Sequence, residues 1–133
     1  MEDMEAGGTL KGTVVRFSGD GRRLGYPTAN LTVDTSAKDG VYFGWADLAG
    51  YEHHPSIIFI GVPTTTGDDR RRVEAYLLGI PDKDYYGLPM ALTLGEYHRG
   101  NRTFADTDEL IDAMKADEAA ARLWFKDQGR GKP

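Results

Sequence analysis

The sequence predicts a mainly β fold, an antiparallel sandwich or small barrel closed off by one late helix. Two observations carry this. Five short runs rich in β-branched and aromatic residues follow one another, separated by the turn signals "DG", "GDD", "IPDKD" and "YGLP". Helical periodicity is missing between those runs and present only near the C-terminus.

The first run is "TLKGTVVRF" (Thr9–Phe17). "VYFGWADL" (Val41–Leu48) follows a "KDG" turn, and "SIIFIG" (Ser56–Gly61) is a continuous apolar run that reads as a buried strand. "RVEAYLL" (Arg72–Leu78) and "MALTLGEY" (Met90–Tyr97) complete the series. Strands at this spacing without intervening helices favour a sandwich or barrel over a βαβ sheet. The helix is announced by Asp106 as N-cap with Glu109 three residues on, the pattern of a capping box. Leu110, Met114, Ala121 and Trp124/Phe125 then recur at helical spacing, with Ile111 beside them. They form an apolar stripe expected to pack on the sheet. Gly129 is expected to lie beyond the helix end. Residues 9–128 are therefore expected to form one domain, with 1–8 and 129–133 as flexible tails.

Composition narrows the function. The chain has 133 residues, 40% of them apolar, enough for one core. It has no cysteine, which excludes disulfides and thiolate metal sites and fits a cytoplasmic setting. The acidic start "MEDMEAGG" is not a signal peptide. Nor does any apolar run approach the roughly 18 residues of a membrane span. A net charge of −5 argues against a nucleic-acid backbone as partner. The triplet Arg70–Arg72 follows Asp68 and Asp69 and reads as a solvated hairpin tip. His53 and His54 are expected in a loop and His98 in a lid segment. Three scattered histidines make no zinc site.

The informative stretch is "SGDGRRLGYPTAN", Ser18–Asn30. Gly19 and Gly21 flank Asp20 directly after a strand, where glycines let backbone N–H groups approach an anion. Arg22 and Arg23 can neutralise phosphate charge. Pro27 stiffens the chain before Thr28 and Asn30. In an extended segment, residues two apart share a side, so the Thr28 hydroxyl and the Asn30 amide oxygen converge. Hard oxygen ligands of this kind suit Mg²⁺ shared with phosphates. No Walker A lysine motif is present, and "HRGN" at His98–Asn101 lacks the Asp of a protein-kinase catalytic loop. The stretch also admits a plainer reading, as an ordinary turn built from Gly, Pro and Asn.

These residues resemble the riboflavin kinase, or flavokinase, family. The resemblance runs from about Lys11 to Phe125 through "GTVVRF", "GRRLGYPTANL", "GVYFGWADL", "VEAYLL", "DYYG", "HR" and "DEL". It implies a closed six-stranded antiparallel Greek-key barrel with one C-terminal helix. It implies transfer of the ATP γ-phosphoryl group to the terminal ribityl hydroxyl of riboflavin, giving FMN and ADP. Thr28 and Asn30 then match the residues that hold Mg²⁺ or another divalent metal and the nucleotide phosphates. Gly19, Gly21 and Arg22 fall on the phosphate side, and Tyr86 falls on the nucleotide-side Tyr-Gly pair. Glu74 matches the general base. Strand alternation sets Val73, Ala75 and Leu77 on one face and Glu74 and Tyr76 on the other. Arg99 and Phe104 keep their places in the loop that closes on the flavin, and Leu110 follows on the helix. Asn101 stands where the family has Glu, Gly100 where it has proline, and Tyr76 where it has histidine. Weaker flavin binding is the expectation from that altered loop, with a carboxylate restored at 101 as the remedy. The partners implied are riboflavin/FMN and ATP/ADP, with no nucleic acid, no membrane and a monomeric protein. The rival reading is a non-catalytic flavin or nucleotide-binding module, or a kinase for a related substrate. An oligonucleotide-binding barrel is disfavoured by the acidic charge.

Overall fold

The computed structural model of the chain describes residues 9–15, 28–31, 35–62, 71–81 and 85–130. Six strands are seen: β1 (Thr9–Val15), β2 (Ala29–Leu31), β3 (Gly40–Leu48), β4 (Tyr51–Gly61), β5 (Arg72–Leu77) and β6 (Pro89–Arg99). They close into a barrel in the order β1-β2-β5-β4-β3-β6, every pairing antiparallel. The chain divides into two compact units, Met1–Asn101 and Arg102–Pro133. The first carries the barrel. The second carries the helix α1 (Thr107–Arg130).

Period-two alternation fills the barrel. Leu10, Val14, Ala29, Leu31, Tyr42, Ala46, Ile58, Ile60, Val73, Ala75, Leu77, Leu92 and Leu94 belong to one buried apolar cluster. On β5 the alternation falls as expected, with Val73 and Ala75 each 1% exposed and Glu74 and Tyr76 half-buried on the other face. Gly44 lets β3 and β6 approach closely, since a Cβ there would collide with the Thr93 carbonyl oxygen. The phenol of Tyr42 donates to the Lys38 carbonyl at 2.6 Å, and its ring meets Tyr97 edge-on. Burial, with help from Tyr97 and Asp39 and against Arg71, raises the Tyr42 pKa.

Three sequence expectations are corrected. His53 and His54 are not in a loop; they lie on β4. The β3–β4 hairpin turns on only Ala49 and Gly50, both at positive φ, and His53 (φ 48) is set within a register irregularity opposite Ala46–Leu48. That tight turn lets the strand start earlier than the polar "YEHHP" suggests. The arginine triplet is not uniformly solvated: Arg72 begins β5 and is 2% exposed, while Arg71 is exposed. Nor does the helix stop before Gly129; it runs on to Arg130. Its start is as read. The Asp106 carboxylate accepts from Glu109 N–H at 2.9 Å, and the Glu109 carboxylate accepts from Ala105 N–H at 2.9 Å. Within α1, Ala113 and Ala121 are buried, and Leu110, Ile111, Met114, Trp124 and Phe125 are half-buried, so the apolar stripe is real.

Candidate active site

The short strand β2 puts three sequence-identified residues together. Asn30 is the cross-strand partner of Glu74 in the β2–β5 pairing. Directly opposed residues of an antiparallel pair project from the same side of the sheet. Since Ala29, Leu31, Val73 and Ala75 fill the interior, Asn30 and Glu74 share the outer wall of the barrel. Thr28, just before β2, donates its hydroxyl hydrogen to Glu74 Oε1 at 3.0 Å. Asn30 Nδ2 donates a longer bond to the Thr28 carbonyl, 3.4 Å.

The remaining atom of this group is the telling one. Asn30 is only 6% exposed, and its Oδ1 is buried with no hydrogen-bond partner among the described residues. A buried amide oxygen without a donor costs about 1–3 kcal/mol. Native proteins rarely leave such an atom unsatisfied unless something else is meant to meet it. The Thr28 hydroxyl, for its part, spends its hydrogen on Glu74 and keeps its oxygen lone pairs for another partner. A carbonyl-type oxygen and a hydroxyl oxygen next to a carboxylate suit a hard divalent cation such as Mg²⁺. The donor set therefore fits the metal that the sequence suggests. Among the described residues there is no cluster of three His, Asp or Glu that would make a metal site on its own.

The Tyr86 turn is built beside this group. Gly87 N–H donates to the Val14 carbonyl and Val14 N–H to the Leu88 carbonyl, both at 2.9 Å. The next residue of β1, Val15, is the partner of Asn30. Tyr86 is half-buried and packs against the apolar core. Gly19, Gly21 and Arg22 lie outside the described residues.

Register also connects Glu74 to Arg99. The partners run Asn30, Glu74, Phe59, Val41, Arg99 in one row around the outer wall. Glu74 and Arg99 are thus three strand spacings apart, roughly 14 Å along the sheet. The row between them is apolar. Sequence reading missed this floor, because "SIIFIG" looks uniformly apolar. In the structure Ser56, Ile58 and Ile60 point inward while Ile57 and Phe59 are half-buried on the other face. Phe104 and Leu110 belong to the second unit. There Phe104 is half-buried under the Arg102 guanidinium, 5.1 Å from the ring centre, and Leu110 sits in the first turns of α1.

Two further clusters were not read from sequence. Arg71 pairs with Asp39 at 2.6 Å and donates to the Thr35 carbonyl at 2.7 Å and to the Ala37 carbonyl. It ties the segment entering β3 to the start of β5, and nothing in an "RRR" triplet distinguishes the member that does so. Asn101 donates its amide N–H to the Ile60 carbonyl at 3.2 Å, at the end of β4.

Comparison with known proteins identifies the family. The riboflavin kinase family model, Flavokinase, matches residues 6–125. The human riboflavin kinase is 31% identical over 122 residues, spanning 85% of this chain and 79% of the human protein. A trifunctional RibF/MnmA protein from Mycoplasmoides gallisepticum is 31% identical over 126 residues, covering 92% of this chain but only 19% of that much longer protein. The crystal structure of riboflavin kinase from Trypanosoma brucei superposes with a TM-score of 0.66 at 26% identity, over 89% of this chain and 79% of its own.

Proposed function

This chain belongs to the riboflavin kinase family, and on that premise we propose that it transfers the ATP γ-phosphoryl group to riboflavin through Thr28, Asn30 and Glu74. The observation that carries the residue assignment is the unsatisfied Asn30 Oδ1 held beside Thr28 and across from Glu74.

In this reading Glu74 accepts the proton of the ribityl hydroxyl as its oxygen attacks phosphorus. The transition state of phosphoryl transfer is loose, so the residue mainly orients that oxygen. The Thr28 hydroxyl fixes the carboxylate by its bond to Oε1. Asn30 Oδ1 and Thr28 Oγ1 would hold a divalent ion, which when bound neutralises charge on the nucleotide phosphates. Gly19, Gly21 and Arg22 remain the proposed phosphate contacts, and Tyr86 the residue facing the nucleotide. The apolar row of Phe59 and Val41, ending at Arg99, supplies a floor for an elongated flavin whose ribityl end reaches Glu74. Phe104 and Leu110 remain the proposed flavin contacts of the second unit.

No helix among the described residues is long and apolar enough to cross a membrane. A monomeric, cytoplasmic enzyme completes the proposal. The test is direct: purified protein is incubated with riboflavin, ATP and Mg²⁺, and FMN is separated by chromatography. FMN that forms with the metal and vanishes on chelation supports the reading. No FMN at high protein concentration, with flavin still bound, would replace it with a binding module.

A further inference from the structure

The barrel unit ends at Asn101, and that residue is docked rather than dangling. Its Nδ2 donates to the Ile60 carbonyl at 3.2 Å. The docking uses a prepared place. Gly61 has φ +149, and a Cβ on it would stand 2.5 Å from Asn101 Nδ2 and 3.5 Å from an Asp39 carboxylate oxygen. Only a residue without a side chain leaves the amide room, and this backbone conformation also favours glycine. Gly61 is the partner of Arg72, and Ile60 that of Val73, the residue before Glu74. The amide therefore fastens the chain emerging from β6 to the strand adjoining the one that carries the base.

We infer that Asn101 is a positioning residue for the flavin side of the reaction: its amide pins the segment that follows Arg99 to the end of β4. The inference rests on the flavin reading of Arg99 and Phe104 given above. Gly100, one of the most permissive residues, is its neighbour, and the Arg99 guanidinium bond to the Gly100 carbonyl at 2.9 Å is local to the stretch and does not tie it to β4. The effect must be one-sided. Tyr86 lies just before the start of β6 and Asn101 just after its end, and β6 has 11 residues. They stand roughly 30 Å apart along the strand, so the nucleotide contact at Tyr86 should not feel the anchor.

The anchor also reverses the expectation from sequence. A carboxylate at 101 cannot donate to a carbonyl when ionised. It would instead face the Ile60 oxygen with Asp39 close by. Asn101→Glu should loosen the flavin, not restore it.

The experiment measures KM for riboflavin and for ATP, with kcat and melting temperature, in the wild type, Asn101→Asp, Asn101→Glu, Asn101→Gln and Gly61→Ala. Loss of one hydrogen bond corresponds to roughly a five-fold change. Asn101→Asp and Asn101→Glu should raise the riboflavin KM by about that factor or more, with the ATP KM unmoved. Asn101→Gln, which keeps an amide donor, should recover part of the loss. Gly61→Ala should reproduce the riboflavin defect, and adding Asn101→Asp to it should do little more. A riboflavin KM unchanged in Asn101→Asp, or ATP and riboflavin KM rising together with a fall in melting temperature, overturns the inference. If the wild type makes no FMN at all, the functional reading has failed instead. Fluorescence quenching of bound flavin in the same variants then decides the anchor by itself: weaker flavin binding in Asn101→Asp supports it, and equal binding sinks it.

Discussion

Replacing Asn30 with leucine should make the ligand-free protein more stable and deprive it of metal–nucleotide binding. The amide oxygen is buried without a partner. Leaving such an acceptor unmet costs about 1–3 kcal/mol. Leucine keeps the branching of asparagine, carries no polar atom and suits a strand better. The variant forfeits the bond from Nδ2 to the Thr28 carbonyl, which at 3.4 Å is long; that offsets about 0.5 kcal/mol. A net gain of about 0.5–2.5 kcal/mol follows. For a chain of 133 residues the unfolding entropy near 60 °C is about 0.28 kcal/mol/K, so each kcal/mol moves the melting point by roughly 4 °C. Scanning calorimetry without ligand should place Asn30→Leu roughly 2–9 °C above the wild type. With MgADP at about a hundred times its Kd, the wild type should gain about 2.7 kcal/mol by mass action, and the variant almost nothing. A variant that melts lower than the wild type without ligand, or gains the full MgADP increment, would refute the assignment of Oδ1 as a ligand atom kept at the expense of stability.

Other substitutions probe neighbouring points. Glu74→Gln can still accept the Thr28 hydroxyl hydrogen but cannot take a proton, so kcat should fall by roughly 10²–10⁴ while calorimetric MgADP binding survives; equal loss of both would make Glu74 a structural residue. Ala49 occupies the left-handed region at φ 52, where Asn is better tolerated; Ala49→Asn should add roughly 0.5–1 kcal/mol in urea denaturation without altering FMN formation. Tyr42 has a raised pKa, chiefly from burial. Its contribution to stability is complete below the unfolded value of about 10 and declines as pH climbs from there through the folded value. Tyr42→Phe should cost about 1 kcal/mol at neutral pH by losing the bond to Lys38 and should flatten the alkaline decline; an unchanged decline in a pH series of melts would exclude Tyr42 as its source.

Legibility followed the length scale of the signal. Strand alternation on β5 was plain in "RVEAYL" because small and apolar residues alternate there with Glu and Tyr. The helix start was plain because capping is local chemistry: the Asp106 carboxylate accepts from Glu109 N–H, and the Glu109 carboxylate reaches back to Ala105 N–H, one residue before the cap. That Thr28 and Asn30 share a side could be read locally, since extended geometry fixes side-chain direction over two residues. Their meeting with Glu74 depends on the β2–β5 register, a pairing of distant segments that no local pattern encodes. The same holds for the Phe59 floor, where inward and outward positions are both apolar, and for the Arg71 clamp on Thr35, Ala37 and Asp39. At Asn101 the sequence shows only that no carboxylate is present; the bond to the Ile60 backbone carbonyl is one that no side-chain comparison reveals.

Closure of the barrel has a consequence for how the chain reaches this state. β6 is the last strand to be made, and it alone pairs with both β1 and β3. Until Pro89–Arg99 is available, Thr9 waits for Thr93 and two strand edges stay open. Long-range pairings of that kind slow folding, because the loop entropy is lost before the contacts reward it. Open edges meanwhile offer templates to other chains. A nascent or truncated chain ending before β6 should therefore be the species that aggregates, and premature termination in this gene should be more damaging to solubility than most substitutions inside the finished barrel.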